Sequence, residues 1–279
     1  MTSSSLVTRH PSLLTRLWLN LRLFWEGALL SYIALFRWLR PSTYLASKVF
    51  MPVTYILFFT FIGVYATGWQ NASFYVIGNA IQVAAVSGIF GVTMSIGGDR
   101  YAGTLPYLFG TPANRMVMFV GRAFMHILDG MLGVVIALTW GVVLLGLNLS
   151  QTDPLALGVT ILVTTFSASG MGLLLGCLSL TVVEVWFINN LVFFLLLVFS
   201  GANVPLAALP GWMQTISQVL PLTRGIAASR IIIAGGGLPE VLPLLGGELL
   251  VGLIYILLGY SLFRWFEFEA KRRGTLDVF

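Results

Sequence analysis

Arg122, His126 and Asp129 stand at i, i+4 and i+7 of one apolar run, which puts them on one face of a helix. A histidine and a carboxylate stacked at membrane depth are the parts of a proton relay. They are equally the parts of a structural cluster, with Arg122 snorkelling to the interface and Asp129 paired to it or to a neighbouring helix. Glu248 lies in the last apolar run. A lone charge at mid-bilayer costs on the order of 3 kcal/mol, so Glu248 is expected to meet Arg224 or Arg230. Asn79, Gln82, Asn189, Asn190 and Asn203 are the amides of two further apolar runs, and two roles are open to them: lining a substrate path at a dimer seam, or bonding helix to helix.

Other chemistry is missing. No Gly-x-x-x-x-Gly-Lys-Ser/Thr phosphate loop occurs, so the chain is not expected to hydrolyse nucleotide itself. Two histidines, His10 and His126, and the single Cys177 build neither a disulfide nor a thiolate zinc site. The Ser-containing segments at 85–88 and 167–170 read as small-residue helix contacts. No catalytic residue, metal or bound cofactor is expected.

The elements that carry these groups follow from composition. With 58% hydrophobic residues, 9% charged and a mean hydropathy of +0.93, the chain departs from the roughly 25% charged of soluble domains. Long continuous apolar runs, in place of ten-residue alternating strands, indicate an all-α integral membrane protein and exclude a β-barrel. Spans are expected at Val49 to Thr67, Phe74 to Ile96, Met116 to Leu147, Leu155 to Leu180, Val182 to Ala202 and Val241 to Phe266. The division is a cytoplasmic tail with an amphipathic helix (1–41), a six-span domain (42–266) and a C-terminal tail (267–279). In the first part, Leu13, Leu14, Leu17, Trp18, Leu21, Phe24, Trp25 and Ala28 recur at helical spacing, the pattern of a helix lying in the headgroup plane.

Of 15 basic residues, 13 fall before the first span, around 99–122 or after the last span; only Arg224 and Arg230 fall elsewhere. This bias predicts that both termini and the loop at 99–115 are cytoplasmic, and the pI near 9.6 then reports orientation, with no nucleic-acid partner. The loop holds Asp99, Arg100, Gly103, Thr104, Leu105, Thr111, Pro112 and Arg115. Together with Glu184 and the tails it is the surface on which a soluble motor could push. The segment at 205–235 is too apolar for a solvated loop and too broken by Pro and Gly to span, so it is expected to form short helices packed on the outer face as a lid, with Arg224, Arg230 and Glu248 at its seam.

Gly103-Thr104-Leu105, Thr111-Pro112 and Arg115, followed by Ser200-Gly201, Pro205, Leu209-Pro210, Pro221 and Arg230 before the last span, resemble the type 2 ABC-transporter permeases, and within them the daunorubicin-resistance and nodulation-export group. The likeness runs from about Trp38 to the end of the sixth span. It departs at Pro106, where relatives commonly carry Glu. The resemblance implies a permease subunit of an ATP-driven exporter in the bacterial inner membrane, paired with a second permease copy. Each copy would dock through the 99–115 coupling helix on a separate cytoplasmic ABC ATPase, which holds the ATP and Mg. The N-terminal helix would be the interfacial elbow and 205–235 a re-entrant external hairpin. The cargo implied is an amphipathic small molecule, a peptide or a lipid-linked molecule, as in multidrug or antibiotic efflux. The competing reading is a secondary transporter or channel using His126, Asp129 and Glu248, against which stands the lack of an internal inverted repeat.

Overall fold

Prolines and caps set where the long helices begin. Pro41 is the first residue of one helix and Pro154 of another, positions where the missing N–H costs nothing. Asp153 caps the second by accepting from the backbone N–H groups of Leu155 (2.9 Å) and Ala156 (3.2 Å). The computed structural model describes residues 13–38, 41–101, 103, 104, 107, 114–180 and 185–273, and among them no strand occurs. The helices are α1 (Leu13–Trp38), α2 (Pro41–Thr67), α3 (Ala72–Ala85), α4 (Val92–Tyr101), α5 (Arg115–Leu145), α6 (Pro154–Ser179), α7 (Val185–Phe199), α8 (Gly211–Val219), α9 (Thr223–Ile233) and α10 (Leu238–Arg273). Between α3 and α4 the chain makes one π-helical segment, Val86–Gly91, without leaving the helix axis.

The chain is an all-α integral membrane protein. Five stretches are long and apolar enough to cross a bilayer: Ser42–Thr67, Trp69–Asp99, Arg115–Leu145, Pro154–Ser179 and Leu238–Glu269. A sixth apolar helix, α7, has 15 residues, short of the roughly 20 a span needs. The expected start of the first span at Val49 is late by about two turns: the helix already runs from Pro41, which carries Tyr44 and Lys48 into it.

Burial sorts the bundle. The most apolar windows of the α3–α4 unit and of α6 are 72% and 67% buried, against 28–33% for α2, α5 and α10, so the first two form the centre and the others the periphery. Close approach at the centre is set by missing side chains. A Cβ on Gly172 would stand 2.2 Å from the Gly88 carbonyl oxygen in the π segment, and one on Gly170 2.6 Å from that of Gly252 on α10. In a bilayer, where lipid is as apolar as leucine, such backbone contact is what draws helices together. The main apolar core gathers Ile56, Ile81, Leu138, Leu196, Ile226 and Ile232, and a second cluster around Ile96, Phe119 and Phe263 sits toward the 99–115 end. At that end α1 lies across α5, with the Phe24 and Phe124 rings 5.6 Å apart.

Candidate functional site

The 99–115 segment leaves α4 and enters α5, and each of its feet is held by a buried or half-buried ion pair. At the first foot, Arg122 of α5 donates to the Asp99 carboxylate at 2.7 Å and to the Ser95 carbonyl at 2.6 Å. Gly103 turns with φ +65°, the left-handed region that favours glycine. Thr104 then folds back, its N–H and hydroxyl donating to the Asp99 carbonyl at 2.9 and 3.1 Å. At the second foot Asn114 caps α5 through the Val117 N–H, and Arg115 pairs with Glu267 near the far end of α10, where Arg264 adds a bond at 3.0 Å. The two feet of the 99–115 segment are therefore tied to α5 and to the last helix. Of the expected coupling residues, Leu105, Thr111, Pro112 and Glu184 lie outside the described residues, as does the side chain of Arg100.

The Arg122–His126–Asp129 face resolves into separate partners. Arg122 belongs to Asp99. Asp129 pairs with Lys48 of α2 and accepts from Tyr44 Oη and Ser87 Oγ, while Lys48 Nζ also donates to Ser87 Oγ at 3.0 Å. His126 is buried beside the π segment, where a Cβ on Gly91 would stand 2.4 Å from its Nδ1, and that nitrogen has no partner among the described residues. Among those residues no hydrogen bond joins His126 to Asp129. Sequence reasoning missed Lys48 and Tyr44, since the first span was expected to begin only at Val49. The signal was Pro41: a helix starting there puts Lys48 two turns inside it.

At the opposite end the amides act chiefly between elements. Asn79 Nδ2 donates to Asn203 Oδ1 at 2.9 Å, and Ser200 Oγ donates to Gln82 Oε1 at 3.0 Å, binding α3 to the turn after α7. Asn190 is exposed and bonds the Trp186 carbonyl of its own helix. Asn189 is buried, and neither its Nδ2 nor its Oδ1 has a partner among the described residues. The five residues do not line one surface within a single chain.

The segment at 205–235 folds as a helical pair, α8 and α9, preceded by a 3₁₀ turn at Leu206–Ala208. Its seam differs from the expected ion pair. Glu248, fully buried, accepts the backbone N–H groups of Leu222 (2.7 Å), Arg224 (3.1 Å) and Gly225 (3.3 Å) at the start of α9. Among the described residues no salt bridge joins it to an arginine. The Arg224 side chain runs past Gly247 to the Gln218 carbonyl at 2.7 Å. Arg230 Nη2 donates to the carbonyls of Phe74, Gly201 and Ala202 at 2.9–3.2 Å, its guanidinium 3.6 Å from the centre of the Phe74 ring. Burial pulls the Arg230 guanidinium down to about 10, opposed by Tyr75, so it is charged at neutral pH. The physical reason for the exchange is the helix end. The first N–H groups of α9 have no intrahelical partner, and their partial positive charge meets the carboxylate without ordering a long side chain. Leu222, at φ +74°, offers no side-chain cap of its own.

Compared with known families, residues 27–234 match the model of a family described as ABC-2 type transporter. Among proteins of curated function, none matches this chain.

Proposed function

The chain belongs to the ABC-2 type transporter family, and on that premise we propose that it is the permease half of an ATP-driven exporter, working as a pair of copies with a separate cytoplasmic ABC ATPase docked on residues 99–115. The family is a transmembrane domain without its own ATPase domain, so the ATP and Mg belong to the partner subunit. The observation that carries the coupling role is the double clamp: Asp99–Arg122 and Arg115–Glu267 fix both feet of the 99–115 segment to α5 and α10. A force on that segment reaches two peripheral helices at once. Basic residues at 100, 115, 122 and 264–273 support a cytoplasmic position for this end and for both termini, in the bacterial inner membrane. The aromatic-rich, weakly charged interior suits an amphipathic small molecule, a peptide or lipid-linked cargo. The secondary-transporter reading loses support from the partition of Arg122, His126 and Asp129 into separate bonds.

Two measurements test this. In a variant free of Cys177, single cysteines at Thr67 and Asp153 are expected to react with an impermeant maleimide outside intact cells, and those at Tyr107 and Arg272 only after lysis. The reverse pattern overturns the orientation. Coexpressed with its ATPase, the chain is expected to copurify with it and to stimulate ATP hydrolysis. Gly103→Val forces a β-branched residue into a left-handed turn at roughly 1–2 kcal/mol, with open space around its Cβ. It is therefore expected to lower stimulated hydrolysis severalfold while the bundle melts normally. Normal stimulation and export in that variant would remove the loop from the mechanism.

A further inference from the structure

At the hairpin end, where the start of α3, the end of α5 and the end of α9 come together, the protein holds a cavity of about 610 Å³. Its lining includes Trp69, Ser73, Phe74, Leu145, Gln151 and Arg230, and of all the lining residues Arg230 alone is charged. Arg230 gives Nη2 to three carbonyls and its Nε is buried out of reach of the cavity, but its Nη1 bonds none of the described residues. A cation with its Nη1 unused, no carboxylate in the lining and hydroxyl and amide groups nearby favours an anion with hydrogen-bonding substituents.

The surroundings say what carries that anion. Leu128, Leu132, Val135, Thr139 and Val142 are exposed along α5 at steps of four and three residues, hence on one face, and the next position on that face is Gly146, which with Leu145 lines the cavity. Thr139 returns its hydroxyl to the Val135 carbonyl, leaving the stripe without a free polar group. On a membrane-spanning helix such a stripe meets acyl chains. At the cavity Trp69 is 61% exposed, an indole at the depth where lipid headgroups and water meet.

We propose that this cavity binds one anionic phospholipid, its phosphate beside Arg230, its polar headgroup toward Ser73 and Gln151, and an acyl chain down the α5 stripe. The site requires only that the chain spans a membrane, so it stands or falls apart from the docking of an ATPase.

The test uses the full chain in neutral detergent, titrated with dioleoylphosphatidylglycerol or dioleoylphosphatidylcholine and followed by native mass spectrometry. One phosphatidylglycerol per chain is expected to be retained about tenfold more strongly than phosphatidylcholine. Ser73 and Gln151 are exposed, so Ser73→Asp and Gln151→Glu are expected to leave the melting temperature unchanged and to weaken phosphatidylglycerol retention about tenfold through like-charge repulsion. Gln151→Lys should strengthen it. Equal retention of the two lipids, or retention indifferent to all three substitutions, overturns the proposal. Displacement of phosphatidylglycerol by millimolar inorganic phosphate also overturns it, since that outcome marks a site for the bare anion.

Discussion

Lys48→Met alone is expected to cost about 3–5 kcal/mol of unfolding free energy, the usual penalty when one partner of a buried ion pair is removed. The loss arises at Asp129, whose carboxylate would keep Tyr44 and Ser87 as neutral donors but lose the Lys48 cation. Asp129→Asn should cost a similar amount by stranding the lysine. The double variant is expected to recover to within about 1–2 kcal/mol of the parent, because methionine fills the lysine stem's space and asparagine keeps both partners, its Oδ1 accepting from Tyr44 and its Nδ2 donating to the Ser87 hydroxyl that Lys48 no longer occupies. Reversible unfolding in mixed micelles gives the cycle. Three elements meet at this cluster: α2, the π segment and α5. If the pair is structural, the double variant also exports. If Asp129 relays protons, the double variant stays inactive although most of its stability is recovered, and the assignment to structure fails.

That cluster also shows where the sequence could be read and where it could not. Composition and run length were enough for an all-α membrane protein, because a bilayer imposes one length and one secondary structure on each apolar run. The 99–115 loop was legible for the same reason: charge, Gly and Pro have few places to go in such a chain. Partners were not legible. Asp99 and Arg122 are 23 positions apart, and Arg115 and Glu267 are 152 apart, so no local pattern joins them. The π segment left no mark either. It depends on Gly88 and Gly91 fitting against Gly172 and His126, a condition set by the packing of three helices. Lys48 was misplaced because hydropathy marks where an apolar run begins, whereas the helix begins at Pro41, in polar sequence. The Arg224–Glu248 expectation failed in an instructive way. Glu248 is buried and compensated, but the search for its partner was confined to side chains, and the compensating group is backbone.

Glu248→Ala follows from that geometry and should be among the most damaging single changes in the chain. The carboxylate accepts three backbone N–H groups at the start of α9. Hydrogen bonds to a charged group contribute about 1.5–3 kcal/mol each, and a buried N–H left without a partner costs about 1–3 kcal/mol. Leu222 and Gly225 are buried, so water reaches these groups poorly, and a total loss of about 4 kcal/mol is a conservative expectation even if α9 shifts to relieve part of it. The damage should be local at first. Arg230 still holds the far end of α9 to Phe74, Gly201 and Ala202, so the helix is expected to swing about that anchor. Protease cuts or hydrogen exchange should therefore rise at 217–226 and not at 228–233. Glu248→Gln keeps one good acceptor but turns an amide N–H₂ toward N–H groups, so about half of the loss is expected. Replacing Arg224 with Gln tests whether a charge pair matters. It removes the bond to the Gln218 carbonyl alone, and the expected cost is below about 1 kcal/mol, in the range of an ordinary exposed hydrogen bond. A loss for Arg224→Gln as large as that for Glu248→Ala would mean that the guanidinium, and not the start of α9, compensates the buried carboxylate.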